Sequence, residues 1–213
     1  MFDPNQLVQQ VTIYALPVLL AITLHEAAHA YAARRFGDDT AYLQGRMTLN
    51  PFKHIDPIGT VLLPLLTIWL GSFVFGWAKP VPVNFNALRK PRQNMRWVAA
   101  AGPLANLAMM LAWVALLKLA LGMDGAYRDP LMLMSKAGIS INISLMLLNL
   151  LPILPLDGGR IVYSLLPPGI AWRYAQTETW GMWLLLILVA SGLLGVILQP
   201  LYVLMYHLLQ LFF

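Results

Sequence analysis

The chain has 213 residues, of which 59% are hydrophobic and 11% charged, against about 45–50% and 25% in an ordinary soluble domain. That balance excludes a water-soluble fold. The net charge of +5, from 14 basic and 9 acidic residues, is modest, and its basic members flank apolar windows. It therefore reads as an orientation signal and points away from nucleic acid as a partner. With no cysteine in the chain, disulfides, iron–sulfur clusters and thiolate zinc sites are removed, and any metal must be held by histidine and carboxylate.

The charges leave free windows at residues 4–25, 57–78, 97–117, 137–156 and 179–213, each near the length of about 20 residues that a helix needs to cross a bilayer. The sequence predicts an all-α, multi-pass membrane protein with one transmembrane domain over residues 1–213. The first helix is expected over 7–36. It reads as a retained helix and not a cleaved signal, because Met1 to Gln10 carry Asp3 and no basic cluster. Its end is marked by Arg34-Arg35-Phe36-Gly37, a basic pair in the last turn followed by glycine. Residues 38–56 are polar and turn-rich. The apolar window 58–77 contains Pro64, Gly71 and Gly76, and it leads into Lys79-Pro80-Val81-Pro82-Val83-Asn84, where alternate prolines favour extended backbone. Helices follow over 97–121, closed by Gly122, and over 131–151. Pro152, Pro155 and the Leu156-Asp157-Gly158-Gly159 run then break the chain. Residues 179–213 read as one long kinked helix or two short ones, with the break at Pro200.

Within the first helix stands His25-Glu26-Ala27-Ala28-His29. Residues four apart lie on one helical face, so two imidazoles can grip a single cation, while Glu26 can reach a water on that cation without being a ligand. The motif is short and arises by chance in many chains, but here Glu26 is the only charge between Asp3 and Arg34. An unpaired carboxylate at that depth costs about 2.5 kcal/mol or more, which marks such residues as functional.

A catalytic zinc takes three protein ligands and keeps one position open. With His54 and His207 the only other imidazoles, a carboxylate is expected as third ligand. If window 58–77 crossed the membrane, Asp157 would lie on the face opposite His29. If it dips in and returns, Asp157 comes to the histidines, and eleven of the 14 basic residues gather on one face, leaving Lys118, Arg128 and Lys136 on the other. Full crossing gives an even split, so charge bias selects the re-entrant arrangement and puts the basic face in the cytoplasm. The histidines then lie roughly 7 to 14 Å inside the cytoplasmic interface. Asp157 ranks first as third ligand and Glu178 second. His54 reads as a loop histidine near the metal-proximal face, and His207 as a partner for a neighbouring helix.

Taken together, His25-Glu26-x-x-His29, Gly102-Pro103-x-x-Asn106 and Asn149-x-x-Pro152-x-x-Pro155-x-Asp157-Gly158 resemble the site-2 protease family of intramembrane zinc metalloproteases, peptidase family M50. The resemblance spans about residues 20–165. It implies one zinc ion per chain on His25, His29 and Asp157, Glu26 as the catalytic carboxylate, and Asn106 lining the site to help hold the substrate or its oxyanion. An amide on a membrane helix also serves simply to bridge to its neighbour. The resemblance further implies a membrane-associated extended hairpin over 78–90, whose edge could take an unwound substrate by strand addition. It implies transmembrane proteins as substrates, a multi-pass cell-membrane location and an active site toward the cytoplasm. The form expected is a compact one without PDZ or CBS domains, and oligomeric state is open.

Overall fold

The computed structural model describes residues 4–62 and 78–212. Among the described residues, four helices are long and apolar enough to cross a bilayer: α1 (Pro4–Arg35) over its Val11–Arg35 part, α3 (Pro91–Leu121), α4 (Arg128–Asn149) and α8 (Leu193–Gln210). Between them lie the short helix α2 (Thr40–Leu43), then α5 (Asp157–Leu165), α6 (Pro168–Ala175) and the apolar α7 (Glu178–Ala190). The chain is a membrane protein built from helices, with no strand among the described residues.

Helix α3 is central, packing against α1, α4 and α5. Its Met110, Trp113 and Leu117 join Ile143 and Met146 of α4, Leu185 of α7 and Leu198 of α8 in one buried apolar cluster. On the other flank Val98 and Met95 of α3 meet Ala33 of α1 and Leu88. Helix α3 starts six residues before the boundary expected from charge, because Pro91 occupies the first helical turn, where its missing N–H costs no hydrogen bond. Arg92 and Arg96 therefore ride on the helix end and do not precede it.

The C-terminal apolar run is corrected. It breaks at Ser191-Gly192, where Gly192 takes φ 74°, while Pro200 lies inside α8. Glycine adopts the left-handed conformation that ends a helix without steric penalty, whereas a helical proline can be absorbed as a kink.

The re-entrant reading of 58–77 falls largely on residues outside those described. Its flanks are described, and they meet. The Lys79 amide donates to the His54 carbonyl at 2.9 Å, and the Arg89 amide to the Phe36 carbonyl just past α1, also at 2.9 Å. The end of α1 and the approach to α3 thus sit at the same end of the bundle. Residues 78–84 form an arm without regular secondary structure that ends in the extended Asn84 and a 3-10 turn over Phe85–Ala87, so no strand pairing marks the hairpin expected over 78–90 among the described residues. Two prolines remove N–H donors at 80 and 82, and the Val81 and Asn84 amides donate to the carboxylates of Glu26 and Asp38, each at 2.7 Å.

Candidate metal centre

Helix α1 places His25 and His29 one turn apart on the face toward α3, both nearly buried at 7% and 8% exposure. Asp157 arrives from the first turn of α5, where a negative side chain is favoured by the helix dipole. Its approach depends on Gly158 and Gly159: a Cβ on the first would lie 2.2 Å from the Leu150 carbonyl oxygen, and on the second 2.6 Å from Ile153 backbone. Neither glycine has positive φ, so close packing against the end of α4, not an unusual turn, is what they supply.

The two Nε2 atoms stand 3.1 Å apart, and Asp157 Oδ2 is 3.3 Å from each. Hydrogen bonds on the far side of the rings decide what those atoms are. His29 Nδ1 lies 2.7 Å from the Val98 carbonyl, and His25 Nδ1 lies 2.6 Å from Asn106 Oδ1. Both partners accept, so Nδ1 carries the hydrogen in each ring and Nε2 offers a lone pair. Three acceptors therefore converge: two neutral imidazoles, and a buried carboxylate oxygen with no hydrogen-bond donor. Such a set repels itself unless a cation shares it. Its edges also suit zinc, since ligands about 2.0–2.1 Å from a tetrahedral ion are about 3.3 Å from one another. His25, His29 and Asp157 are the one such metal-binding group among the described residues.

The remaining expected residues fall as follows. Glu178 is at the start of α7 and pairs with Arg160 at 3.0 Å, outside the cluster. His54 is fully buried with its Nε2 at 3.0 Å from the Thr48 carbonyl, a loop histidine that also anchors Lys79. His207 lies on an exposed face of α8. Asn106 is fully buried and engaged at both ends, by His25 at Oδ1 and through Nδ2 with Asn142 Oδ1 at 2.9 Å and the Ala21 carbonyl at 3.4 Å.

A family model described as Peptidase family M50 matches residues 126–191. The Bacillus subtilis (strain 168) protein named "Putative zinc metalloprotease YwhC" is 42% identical over 189 residues, covering 87% of this chain and 83% of that protein. The chain belongs to peptidase family M50. Proteins named Rip2 from Mycolicibacterium smegmatis and from Mycobacterium tuberculosis (strain H37Rv) are 33% and 31% identical, over 83% and 80% of this chain and 66% and 63% of theirs. No solved structure matches it. As an M50 member the chain is a metallopeptidase, with zinc the metal its relatives' names give.

Two features of this M50 site carry no sequence signal because they use backbone atoms. The Val81 amide holds Glu26 Oε2, so the arm fixes the carboxylate next to the histidines. Arg46 Nη2 in turn reaches the Lys79 and Pro80 carbonyls at 3.0 and 3.2 Å, clamping the arm. The amides of 79, 81 and 84 already donate, and 80 and 82 are prolines. The arm's observed contact is with Glu26. Arg46→Ala is expected to lower kcat about tenfold, the worth of one charge-assisted hydrogen bond, with bound zinc unchanged. Turnover and metal content of the purified variant check this.

Proposed function

We propose that this M50 metallopeptidase hydrolyses peptide bonds within or near transmembrane segments of membrane proteins, using one zinc ion per chain held by His25, His29 and Asp157. The observation that carries the reading is the convergence of three lone-pair donors beside an anchored glutamate inside a bundle of membrane-spanning helices. Zinc bound there supplies Lewis-acid chemistry, acidifying water and polarising a peptide carbonyl. Glu26 takes the proton of the attacking water and passes it to the leaving amine. The Val81 amide keeps one oxygen of Glu26 fixed, leaving the other for that proton. Asn106 is assigned to holding His25, since its amide is already bonded at both ends. Burial of both histidines excludes bulk water, which strengthens every electrostatic contact in the site.

The side of the membrane follows from charge. Arg34 and Arg35 close α1, and Lys79, Arg89 and Lys90 before α3 with Arg92 and Arg96 in its first turns lie at the same end of the bundle, so we assign this end to the cytoplasm by the positive-inside rule. A substrate helix hides its carbonyls in its own hydrogen bonds and must unwind to present one.

The test is cleavage of a single-pass substrate in liposomes by the purified chain, before and after chelation, with zinc then restored. Cutting in or near the apolar span, lost with the metal and regained with zinc, is the expected result. Zinc-loaded protein that cuts none of a panel of such substrates would overturn the reading, and zinc flux across the liposome would replace it with a permease.

A further inference from the structure

Helix α4 contributes one residue to this centre that hydrogen-bonds to none of the three metal ligands. Asn142 is fully buried, and its place beside α3 is made by Gly138, one turn earlier, where a Cβ would lie 2.3 Å from the Trp113 ring. Small residues at such crossings let membrane helices approach closely. The hydrogen bonds then run in one direction. Asn142 Nδ2 donates to the Gly138 carbonyl at 2.8 Å. That carbonyl can only accept, so Asn142 must turn its oxygen toward Asn106. Asn106 Nδ2 donates to that oxygen at 2.9 Å and to the Ala21 carbonyl at 3.4 Å, which turns Asn106 Oδ1 toward His25. His25 must then carry its hydrogen on Nδ1.

We propose that Asn142 is a positioning residue for the metal centre: through Asn106 it fixes the ring orientation and tautomer of His25 so that Nε2 presents a lone pair to zinc. This rests on the zinc-site reading above, and extends it to a residue two hydrogen bonds from the ligand. An Asn106 free to turn its amide over would present Nδ2 to His25 Nδ1, favouring hydrogen on Nε2 and blocking the ligand atom. Partners that orient a ligating histidine in this way are worth about 10–100-fold in metal affinity.

The experiment is a zinc competition titration on the full chain in detergent, with helicity and thermal unfolding of the zinc-free protein measured alongside. Asn142→Leu is expected to weaken zinc about 10–100-fold. Asn142→Asp, whose buried carboxyl keeps its proton to donate to the Gly138 carbonyl and so still offers an acceptor toward Asn106, is expected to stay near wild type. In an Asn106→Asp background both carboxylate oxygens accept, so no orientation remains to be fixed, and Asn142→Leu is expected to cause no further loss. Equal losses in both backgrounds, or equal losses for Leu and Asp at 142, would show a merely structural residue and overturn the proposal. So would an Asn142→Leu protein that loses its fold while Asn142→Asp folds but binds zinc no better than about a tenth as well. Zinc affinity that follows the expected pattern in a protein that cleaves nothing would support the positioning role while removing the protease reading.

Discussion

Glu26→Gln is expected to keep zinc within about twofold of wild type and to lose about 10²–10⁴ in turnover, the usual contribution of a positioned general base. Glu26 is not among the three converging atoms, so the ligand set is untouched by the change. The substitution is also nearly isosteric, and the Val81 amide, which donates to Glu26 Oε2 at 2.7 Å, selects how the new amide sits. Only the oxygen of glutamine can accept from it. The –NH2 therefore takes the place of the other carboxylate oxygen. A donor then stands where a proton must be received, and the loss should fall on kcat rather than on KM. Zinc content by metal analysis and cleavage of a single-pass substrate measure both halves. Unaltered cleavage would remove Glu26 as the base, and zinc lost together with cleavage would make it a ligand or a structural residue.

What the sequence made legible here is the chemistry that depends on rarity. A carboxylate alone in an apolar helix, with histidines on either side of it, stands out because lipid tolerates so little charge, and the same scarcity drew attention to Asp157. The structure brings these residues together. Asn142 carried the same signal, a buried amide in the apolar window 137–156, and could have been found by it. Its significance needed the packing of α4 on α3, because only distance shows which way its amide points. Arg46 and Val81 were not legible, since one acts on backbone carbonyls and the other through its own amide. Element ends were missed where local chemistry outweighed hydropathy: Pro91 starts α3 among charged residues, and Gly192 ends α7 inside a run of uniform apolarity while Pro200 does not. The Leu156-Asp157-Gly158-Gly159 run reads in sequence as a chain break, but both glycines lie within a helix, and what they give up is bulk.

The same loss of bulk makes Gly102→Ala a substitution expected to strike the ligand atoms directly. Val98, Gly102 and Asn106 are spaced four apart on α3, one stripe that faces the histidines of α1. A Cβ at Gly102 would lie 2.4 Å from His29 Nε2 and 2.5 and 2.6 Å from His25 Cε1 and Nε2, on the ligand atoms themselves. Neither route of relief is harmless. The rings cannot swing aside without breaking their bonds to the Val98 carbonyl and to Asn106. If α3 retreats instead, both acceptors leave with it, because both belong to α3. In either case the three lone pairs no longer meet at one point, and zinc affinity should fall about 100-fold, the upper end of what misplaced ligand support costs. The fold itself loses less, about 1–3 kcal/mol for one overpacked methyl group. Zinc titration and thermal unfolding of the zinc-free protein separate the two effects, and Gly122→Ala is the control, since its Cβ meets only the Leu119 carbonyl at 3.7 Å. Wild-type zinc affinity in Gly102→Ala would mean that Nε2 of these histidines is not where the metal binds.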